Sequence, residues 1–329
     1  MHLWAAGICD DKGITSHASI EMKIFIVGCV RDAEDIVGWV YAYHLSLGID
    51  GMIIIDDGSS DCTPWILKRL AESTGKIEII RIDNNMYDQE KSISEAITCA
   101  TKAGADIIVH LDSDEFYYSN TDFYQTLITN YPFCIRCNVK NFVQSRSVTT
   151  SSAIDCLSVS FRAPIMGSRL DAMERRCAFV NAEFPSKLIV PAKRDLVLAK
   201  GAHRATFQGY MERTTDIEIL HLPLRSKLNL YQRAQWAIRR QLLAEQNDVS
   251  YQVYMFERMA KNGKLEEEWI FNSHNHGVMI NGNLHFSMIY DARWRTCMLA
   301  AALYLNEFDP NLLDWMLSYN TSASKITRN

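Results

Sequence analysis

Three carboxylates follow directly on a buried-strand pattern near the middle of the chain. Ile107–Val109 is a β-branched apolar run, and Asp112, Asp114 and Glu115 come just after it, with one serine between the aspartates. Side chains two apart on an extended backbone leave from the same face, so both aspartates could converge on one cation. Oxygen ligands favour magnesium or manganese, often shared with a substrate's phosphates. The stretch predicts metal-assisted chemistry on a phosphate-bearing substrate, with a solvated acidic loop as the simpler alternative.

The composition bounds the class of protein. The chain has 329 residues, 48% hydrophobic and 22% charged, which is enough to bury the core of one large domain or two small ones. Its net charge of -5 argues against a nucleic-acid partner, because such proteins usually carry a basic excess. The nine cysteines are an odd number, which favours a reduced, cytoplasmic setting over a disulfide framework.

Neither a membrane span nor a secretion signal is predicted. The longest apolar run, Cys297–Leu305, is far below the roughly 20 residues that a bilayer requires. Leu3–Cys9 is short, lacks a basic leader and is followed at once by two aspartates. We therefore expect an irregular leader over residues 1–22, within which Met22 is a candidate for the biological start.

Strand and helix patterns alternate over the first third of the chain. Apolar runs predict strands at Lys23–Val30, Met52–Ile55, Ile77–Ile82 and Ile107–Val109. Helical patterns lie between them: from an Asp32 N-cap to Gly48, from Thr63 to about Ser73, and over Ser92–Ala103. The alternation predicts right-handed crossovers and a parallel sheet.

Ligands of such sheets bind beyond the carboxyl ends of the strands, and three polar clusters lie there. They are Arg31-Asp32, Asp56–Asp61 and Asp112–Glu115. The chain has neither the G-x-G-x-x-G pattern of dinucleotide-binding domains nor a P-loop, which argues against nicotinamide, flavin and P-loop enzymes.

The chain after Asp122 has a mixed pattern. Further strands are predicted at Phe133–Val143, Lys187–Val190 and Ile217–Leu220, and Val148–Arg176 reads as a long irregular connection. A helical pattern begins at Leu224. Five basic residues give that region a tendency compatible with a membrane surface or a solvated helix face: Arg225, Lys227, Arg233, Arg239 and Arg240.

Three motifs stand out before Tyr118: YHxxxG at 43–48, DDGSSD at 56–61 and HLDSDEF at 110–116. Together they resemble the nucleotide-sugar half of family-two-like glycosyltransferases of the GT-A fold, and among these the branch whose metal motif reads D-x-D-E-F. The resemblance is strong over about Ile24 to Tyr118. It is weaker afterwards, where it rests on Lys187-Leu-Ile-Val, His203 and the stretch His221-Leu-Pro-Leu-Arg225-Ser226.

The resemblance implies an α/β fold of the GT-A type: a Rossmann-like, mostly parallel sheet flanked by helices, with a helical C-terminal region. We expect a nucleotide-sugar-binding half at 23–121 and an acceptor-side half of the same domain at 122–222. The helical region then covers 223–329.

The resemblance also implies a donor site. The acidic turn after the second strand contacts base and ribose in that family, so Asp57 is expected to accept an N–H of uracil or a comparable base. Asp61 and Arg31 would line the same cleft. The structural alternative for the turn is an Asx-type cap on the next helix, a role that Asp61 could serve in any case.

Asp112 and Asp114 resemble the family's metal motif, which implies Mn²⁺ or Mg²⁺ held against the donor's diphosphate. His221 would complete the metal shell, unless it is only a satisfied polar residue at a strand end. Lys187 and Arg225 are candidate phosphate contacts, with solvated charges as the alternative. Asp112 would be shared between metal and ribose.

Transfer with inversion needs a carboxylate base for the acceptor hydroxyl. The sequence does not name it. Asp171 and Glu174, in the irregular segment where acceptor loops belong, are the candidates, and plain surface charge is the alternative for each.

The resemblance implies a metal-dependent glycosyltransferase of the kind used in polysaccharide biosynthesis, and inversion is implied by the family alone. Its donor would be a UDP-type nucleotide sugar, and its acceptor a glycan or lipid-linked glycan, with peripheral membrane contact in the second case. Two alternatives stay open: a haloacid-dehalogenase-type phosphoryl-transfer enzyme, whose D-x-D normally lies on the first strand, and a non-catalytic GT-A-like binding protein.

Overall fold

The fold is built around one eight-stranded sheet. The computed structural model describes residues 22–82, 89–243, 251–275 and 288–319, so the predicted leader lies outside the described residues except for Met22. The strands, in chain order, are β1 (Ile24–Val30), β2 (Gly51–Asp56), β3 (Ile77–Arg81), β4 (Ile107–Asp112), β5 (Glu115–Tyr118), β6 (Cys134–Asn141), β7 (Phe161–Arg162), β8 (Lys187–Pro191), β9 (Val197–Leu198), β10 (Ala205–Thr206), β11 (Glu212–His221) and β12 (Ile289–Tyr290).

Helices cover both faces of the sheet and make up most of the C-terminal region. In chain order they are α1 (Val37–Ser46), α2 (Thr63–Thr74), α3 (Gln89–Lys102), α4 (Phe123–Asn130), α5 (Ala153–Leu157), α6 (Arg169–Met173), α7 (Lys227–Leu243), α8 (Tyr251–Lys261), α9 (Leu265–Asn272), α10 (Arg293–Phe308) and α11 (Pro310–Ser318). None of the helices in the described ranges combines the length and the apolar character that a bilayer crossing needs.

The large sheet has the strand order β3-β2-β1-β4-β8-β6-β11-β5. Its first half is parallel, because β1 pairs in parallel with β2 and β4, and β2 with β3. In its second half β8 runs antiparallel to β4 and β6, and β11 is parallel to β6 and antiparallel to β5. The prediction of a mostly parallel sheet flanked by helices, with a helical C-terminal region, is confirmed.

Alternate residues of β1 serve two hydrophobic cores. Ile24 and Ile26 pack in the core that contains residues of α1 and α10, whereas Phe25 and Val27 pack in the core that contains residues of α3. A strand that is buried on both faces needs apolar side chains at every position, which explains the unbroken apolar run. The carboxyl ends of β1, β2 and β4 therefore meet at one edge, held between helical layers.

The first helix begins later than the sequence predicted. α1 starts at Val37, and Asp32 is not its N-cap. Asp32 has a φ of 44°, and its carboxylate accepts hydrogen bonds from the backbone N–H (2.8 Å) and the hydroxyl (3.2 Å) of Ser60. The side chain is used to join the loop after β1 to the loop after β2, so it is not available to cap the helix.

The acidic stretch does not stay extended. β4 ends at Asp112, β5 begins at Glu115, and the two residues between them form a turn. The expectation that both aspartates leave from one face of a continuous strand is therefore wrong. Their carboxylates meet different partners.

Candidate active site

A cleft of about 290 Å³ lies where the carboxyl ends of β1, β2 and β4 face helix α7. Arg31, Asp57 and Ser113 line it from the sheet. Arg233 and Trp236 line it from α7. The predicted convergence of the second and fourth strand ends on one cleft is thus observed, because the serine between the two aspartates shares a cavity with Asp57.

Asp57 is held rigidly at the base of this cleft. Its side chain is buried, and its backbone N–H donates to Val30 O at 2.9 Å. Gly58 follows with a φ of 66°, and a Cβ there would lie 3.3 Å from Ile82 O, so the turn requires a residue without a side chain. The backbone of the loop is therefore held at Asp57 and Gly58.

Arg31 and Trp236 form a flat wall beside Asp57. The Arg31 guanidinium carbon lies 4.3 Å from the centroid of the Trp236 ring, which is cation–π geometry. Arg31 also donates to Asp57 Oδ2 at 3.4 Å. Arg233 and Trp236 are three apart on α7, so they share one helix face. Trp236 was not among the residues predicted from the sequence.

Asp61 does not line the cleft that contains Asp57. It lines an adjoining cavity of about 290 Å³, together with Glu34 and Cys62. Its two carboxylate oxygens accept from the backbone N–H groups of Thr63 (2.9 Å) and Glu34 (3.0 Å). Asp61 thus fills the structural role, at the start of α2, that was its alternative.

Asp112 is paired with a buried lysine. Lys187 Nζ donates to Asp112 Oδ2 at 2.5 Å and to Glu115 Oε2 at 2.6 Å. Burial opposes ionisation of Asp112, but the Lys187 ammonium outweighs it and holds the pKa of that carboxyl well below its usual range. Burial raises the pKa of Glu115 above its ordinary value. Lys187 is therefore a buried counter-charge in the site, and the solvated alternative for it is excluded.

Asp114 faces an arginine and a histidine. Arg233 Nη2 donates to Asp114 Oδ2 at 2.7 Å, and His221 Nε2 lies 3.6 Å from Asp114 Oδ1. Burial works against ionisation of Asp114, while His221 and Arg233 favour it, so its pKa is lowered. Arg233 pairs with Asp114 and Arg225 with Asp35, so each of these two side chains has an acidic partner within the protein.

His221 is neutral near pH 7. Burial lowers its pKa to about 4. Its Nδ1 lies 2.9 Å from Asn141 Oδ1, an oxygen that can only accept, so Nδ1 carries the proton. The unprotonated Nε2 therefore faces Asp114. A metal-binding histidine usually donates the N–H of its other ring nitrogen to a polar group, as Nδ1 does here to Asn141.

The donor chemistry fits a divalent cation at Asp114 and His221. Asp114 Oδ1 and the unprotonated His221 Nε2 lie 3.6 Å apart, and each has a lone pair that can coordinate one cation placed between them. Asp112 is paired with Lys187 at 2.5 Å. Among the residues that the structure describes, no group of three or more His, Cys, Asp or Glu side chains is arranged to hold a metal ion.

Arg225 is buried behind the cleft. Its Nε donates to both oxygens of Asp35, at 2.8 and 3.0 Å, and its Nη2 donates to Asp32 O at 3.2 Å. These bonds fix the loop after β1 against the segment that precedes α7. The solvated alternative for Arg225 is therefore excluded, and a phosphate contact stays a prediction.

The two base candidates lie together at α6. Asp171 closes a capping box with Ser168 and accepts from Arg176 Nε at 2.7 Å, and these bonds lower its pKa to about 2. Glu174 also pairs with Arg176. Both carboxylates thus have local structural partners, which weakens them as bases.

Comparison with known protein families finds a similarity over one part of the chain. Residues 46–128 match the model of the family described as Glycosyl transferase family 2. The matched residues include Asp57, Asp112 and Asp114, and they make up about a quarter of the chain. A search of curated proteins returns no match.

Solved structures resemble the chain more distantly. S. aureus TarS, residues 1–349, gives a TM-score of 0.40 at 12% identity and covers 90% of this chain and 87% of that chain. Glucosyl-3-phosphoglycerate synthase from Mycobacterium tuberculosis, in complex with Mn²⁺, uridine diphosphate and phosphoglyceric acid, gives 0.28 at 17% identity. That match covers 36% of this chain and 44% of the other. These values are too low to transfer a function.

Proposed function

We propose that the protein transfers a sugar from a UDP-type nucleotide sugar to an acceptor hydroxyl, with a divalent cation and with inversion. One observation carries the proposal: Asp57 and the Asp112–Asp114 turn, both within the residues that match the glycosyltransferase family 2 model, meet at a single cleft. A cavity at the carboxyl ends of parallel strands is the usual ligand site of such sheets.

The nucleoside would bind at the sheet end of the cleft. Asp57 can accept an N–H from the edge of a pyrimidine base, since its carboxylate is buried and held by the Gly58 turn. The Arg31–Trp236 wall supplies a flat surface of the kind on which a base or ribose packs. This role for Trp236 is an addition to the residues that the sequence singled out.

The diphosphate would lie over the Asp112–Asp114 turn. Mn²⁺ or Mg²⁺ held by Asp114 and His221 would neutralise the charge that develops on the leaving nucleoside diphosphate. Arg233 and Lys187 keep the carboxylates ionised and add positive charge beside the same phosphates. Asp112 is proposed to contact the ribose and the metal once the donor is bound.

The alternative activities gain no support from the structure. A phosphoryl-transfer enzyme of the haloacid-dehalogenase type would place its aspartates at the end of the first strand. That position holds Arg31 and Asp32, and Asp32 is engaged by Ser60. A binding protein without activity would share the cleft, so only turnover separates it from an enzyme.

Thermal stability in the presence of nucleotides tests the proposal. We expect UDP with Mn²⁺ to stabilise the protein by about 2.7 kcal/mol when the ligand is at a hundredfold excess over its Kd. Asp114→Asn should abolish the contribution of Mn²⁺ and the release of UDP from UDP-sugars. Asp314→Asn, an exposed aspartate on α11, is the matched control. Failure of UDP, GDP and their sugars to stabilise the wild-type protein would reject the proposal.

A further inference from the structure

A third cavity, of about 520 Å³, is lined by residues of the acceptor-side half of the chain. Its wall contains hydroxyl, amide, guanidinium and imidazole groups with one aromatic ring. The lining residues include Arg136, Asn138, Glu183, Phe184, Ser186 and His203. Hydrogen-bonding groups combined with a ring surface suit a polyhydroxylated ring better than an apolar ligand.

Two residues of the cavity wall lie beside the proposed metal and phosphate groups. Ser186 directly precedes Lys187, the lysine that holds Asp112. The Phe184 ring lies 5.2 Å, centroid to centroid, from the ring of His221. A ligand in this cavity would therefore lie next to the leaving group of a donor that is bound over the Asp112–Asp114 turn.

The polar wall of the cavity is fixed by its own hydrogen bonds. Arg136 donates to both carboxylate oxygens of Glu212, and its Nη1 donates to Ser186 Oγ at 2.7 Å. His203 Nδ1 donates to Ser186 O at 3.0 Å, which leaves its Nε2 as an acceptor. Burial lowers the pKa of His203, so its ring is neutral near pH 7. These groups are positioned before any ligand arrives.

Glu183 supplies the carboxylate of this cavity. It is exposed, and within the described ranges its side chain makes no ion pair and no hydrogen bond to the protein. Its backbone is held, because Glu183 N–H donates to Gly167 O at 2.8 Å and Asn141 Nδ2 donates to Val180 O at 3.1 Å. The Asp171 carboxylate, by contrast, accepts the hydrogen bonds of the capping box at α6. Glu183 thus has a fixed backbone and a carboxylate that can accept a proton.

We propose that this cavity is the acceptor subsite, that it takes a saccharide, and that Glu183 is the catalytic base. The assignment rests on the proposed glycosyl transfer. The acceptor O–H gives its proton to the Glu183 carboxylate while its oxygen forms a bond to the anomeric carbon. The bond from that carbon to the phosphate oxygen breaks, and its electron pair leaves with the nucleoside diphosphate.

The test is UDP release from UDP-glucose, UDP-galactose and UDP-N-acetylglucosamine with Mn²⁺, with glucose, mannose or water as acceptor. Glu183→Gln should lower the rate by about 10²–10⁴-fold, the usual contribution of a general base. It should also remove the fall in rate at acid pH that a carboxylate base causes. Stabilisation by UDP should stay unchanged, because the donor site is intact. Glu95→Gln, an exposed glutamate on α3, is the control.

A second variant tests the cavity. Asn138 is exposed at the cavity wall, and Asn138→Phe should raise the KM for the sugar acceptor with little change in UDP binding. Unchanged transfer by Glu183→Gln, or loss of UDP stabilisation in that variant, would overturn the assignment, and so would an equal loss in Asp171→Asn. Stabilisation of the wild type by UDP without turnover of any donor would also overturn it. If neither UDP binding nor UDP release is seen in the wild type, the proposed function fails first, and this inference fails with it.

Discussion

At the scale of single residues, Asn141 connects the two halves of the candidate site. Its side-chain oxygen accepts from His221 Nδ1, and its Nδ2 donates to Val180 O, close to Glu183. Asn141 is buried, so neither bond is easily replaced by water. One side chain therefore orients the proposed metal-binding histidine and anchors the segment that carries the proposed base.

Asn141→Ala should weaken Mn²⁺ binding by about 10–100-fold, the usual effect of removing a group that orients a ligating histidine. The measurement is a Mn²⁺ titration at saturating UDP, followed by thermal stability. Asn130→Ala is the control, since Asn130 makes its hydrogen bond within α4. Unchanged Mn²⁺ affinity in Asn141→Ala would show that His221 is not a ligand.

Residue roles were the least predictable part of the sequence. Motif spacing placed Asp57 and the two aspartates correctly at strand ends, because strand ends meet in any parallel sheet. It could not show that Lys187 holds Asp112 or that Arg233 holds Asp114, since both partners lie 75 or more residues away. Glu183 carried no signal at all, because a base is defined by its cavity and not by its neighbours in the chain.

At the scale of elements, α1 is joined to β5 through a buried histidine. His44 Nδ1 donates to Val40 O at 2.7 Å, and His44 Nε2 accepts from the backbone N–H of Tyr117 at 3.1 Å. Both hydrogen bonds require the neutral ring with its proton on Nδ1. A second proton, on Nε2, would point at the N–H of Tyr117 and break that bond. Burial accordingly lowers the pKa of His44 to about 4.

The free energy of unfolding should therefore fall as the pH is lowered from about 6.5 to about 4. The folded pKa lies below the ordinary value, so the stabilisation is complete above pH 6.5 and is lost as protons bind the unfolded chain. His44→Asn should flatten this dependence by up to about 1.4 kcal/mol per pH unit. Urea unfolding at a series of pH values measures it. An unchanged slope in the variant would show that His44 does not contribute.

Elements were predicted well where periodicity was strong. Both ends of each of the first three strands were predicted to within one residue, since buried parallel strands leave an unbroken apolar run. The predictions of the start of α1 and of an extended chain at Asp112–Glu115 were wrong. In both places an aspartate bonds to a distant loop or side chain, which local pattern does not reveal.

At the scale of the whole molecule, the C-terminal helices complete the core beneath the acidic motif. The Trp294 ring, on α10, lies 4.7 Å from the Phe116 ring, centroid to centroid, and its indole N–H donates to Cys156 O at 2.9 Å. Phe116 belongs to the motif itself, and both aromatic side chains are fully buried. The helical region therefore supports β5 and is not an appendage to the sheet.

Trp294→Ala should destabilise the protein by about 3–5 kcal/mol, as expected for an aromatic residue removed from a packed core. Urea unfolding measures the loss. Trp65→Ala is the control, because Trp65 is 42% exposed on α2. A loss in Trp294→Ala no larger than that of the control would contradict the supporting role of α10.

The packing of Trp294 on Phe116 has a consequence for synthesis on the ribosome. Phe116 is synthesised about 180 residues before Trp294. The core around Phe116 therefore stays partly exposed to solvent in the nascent chain until α10 leaves the exit tunnel. We expect truncated products that stop before α10 to be degraded or bound by chaperones.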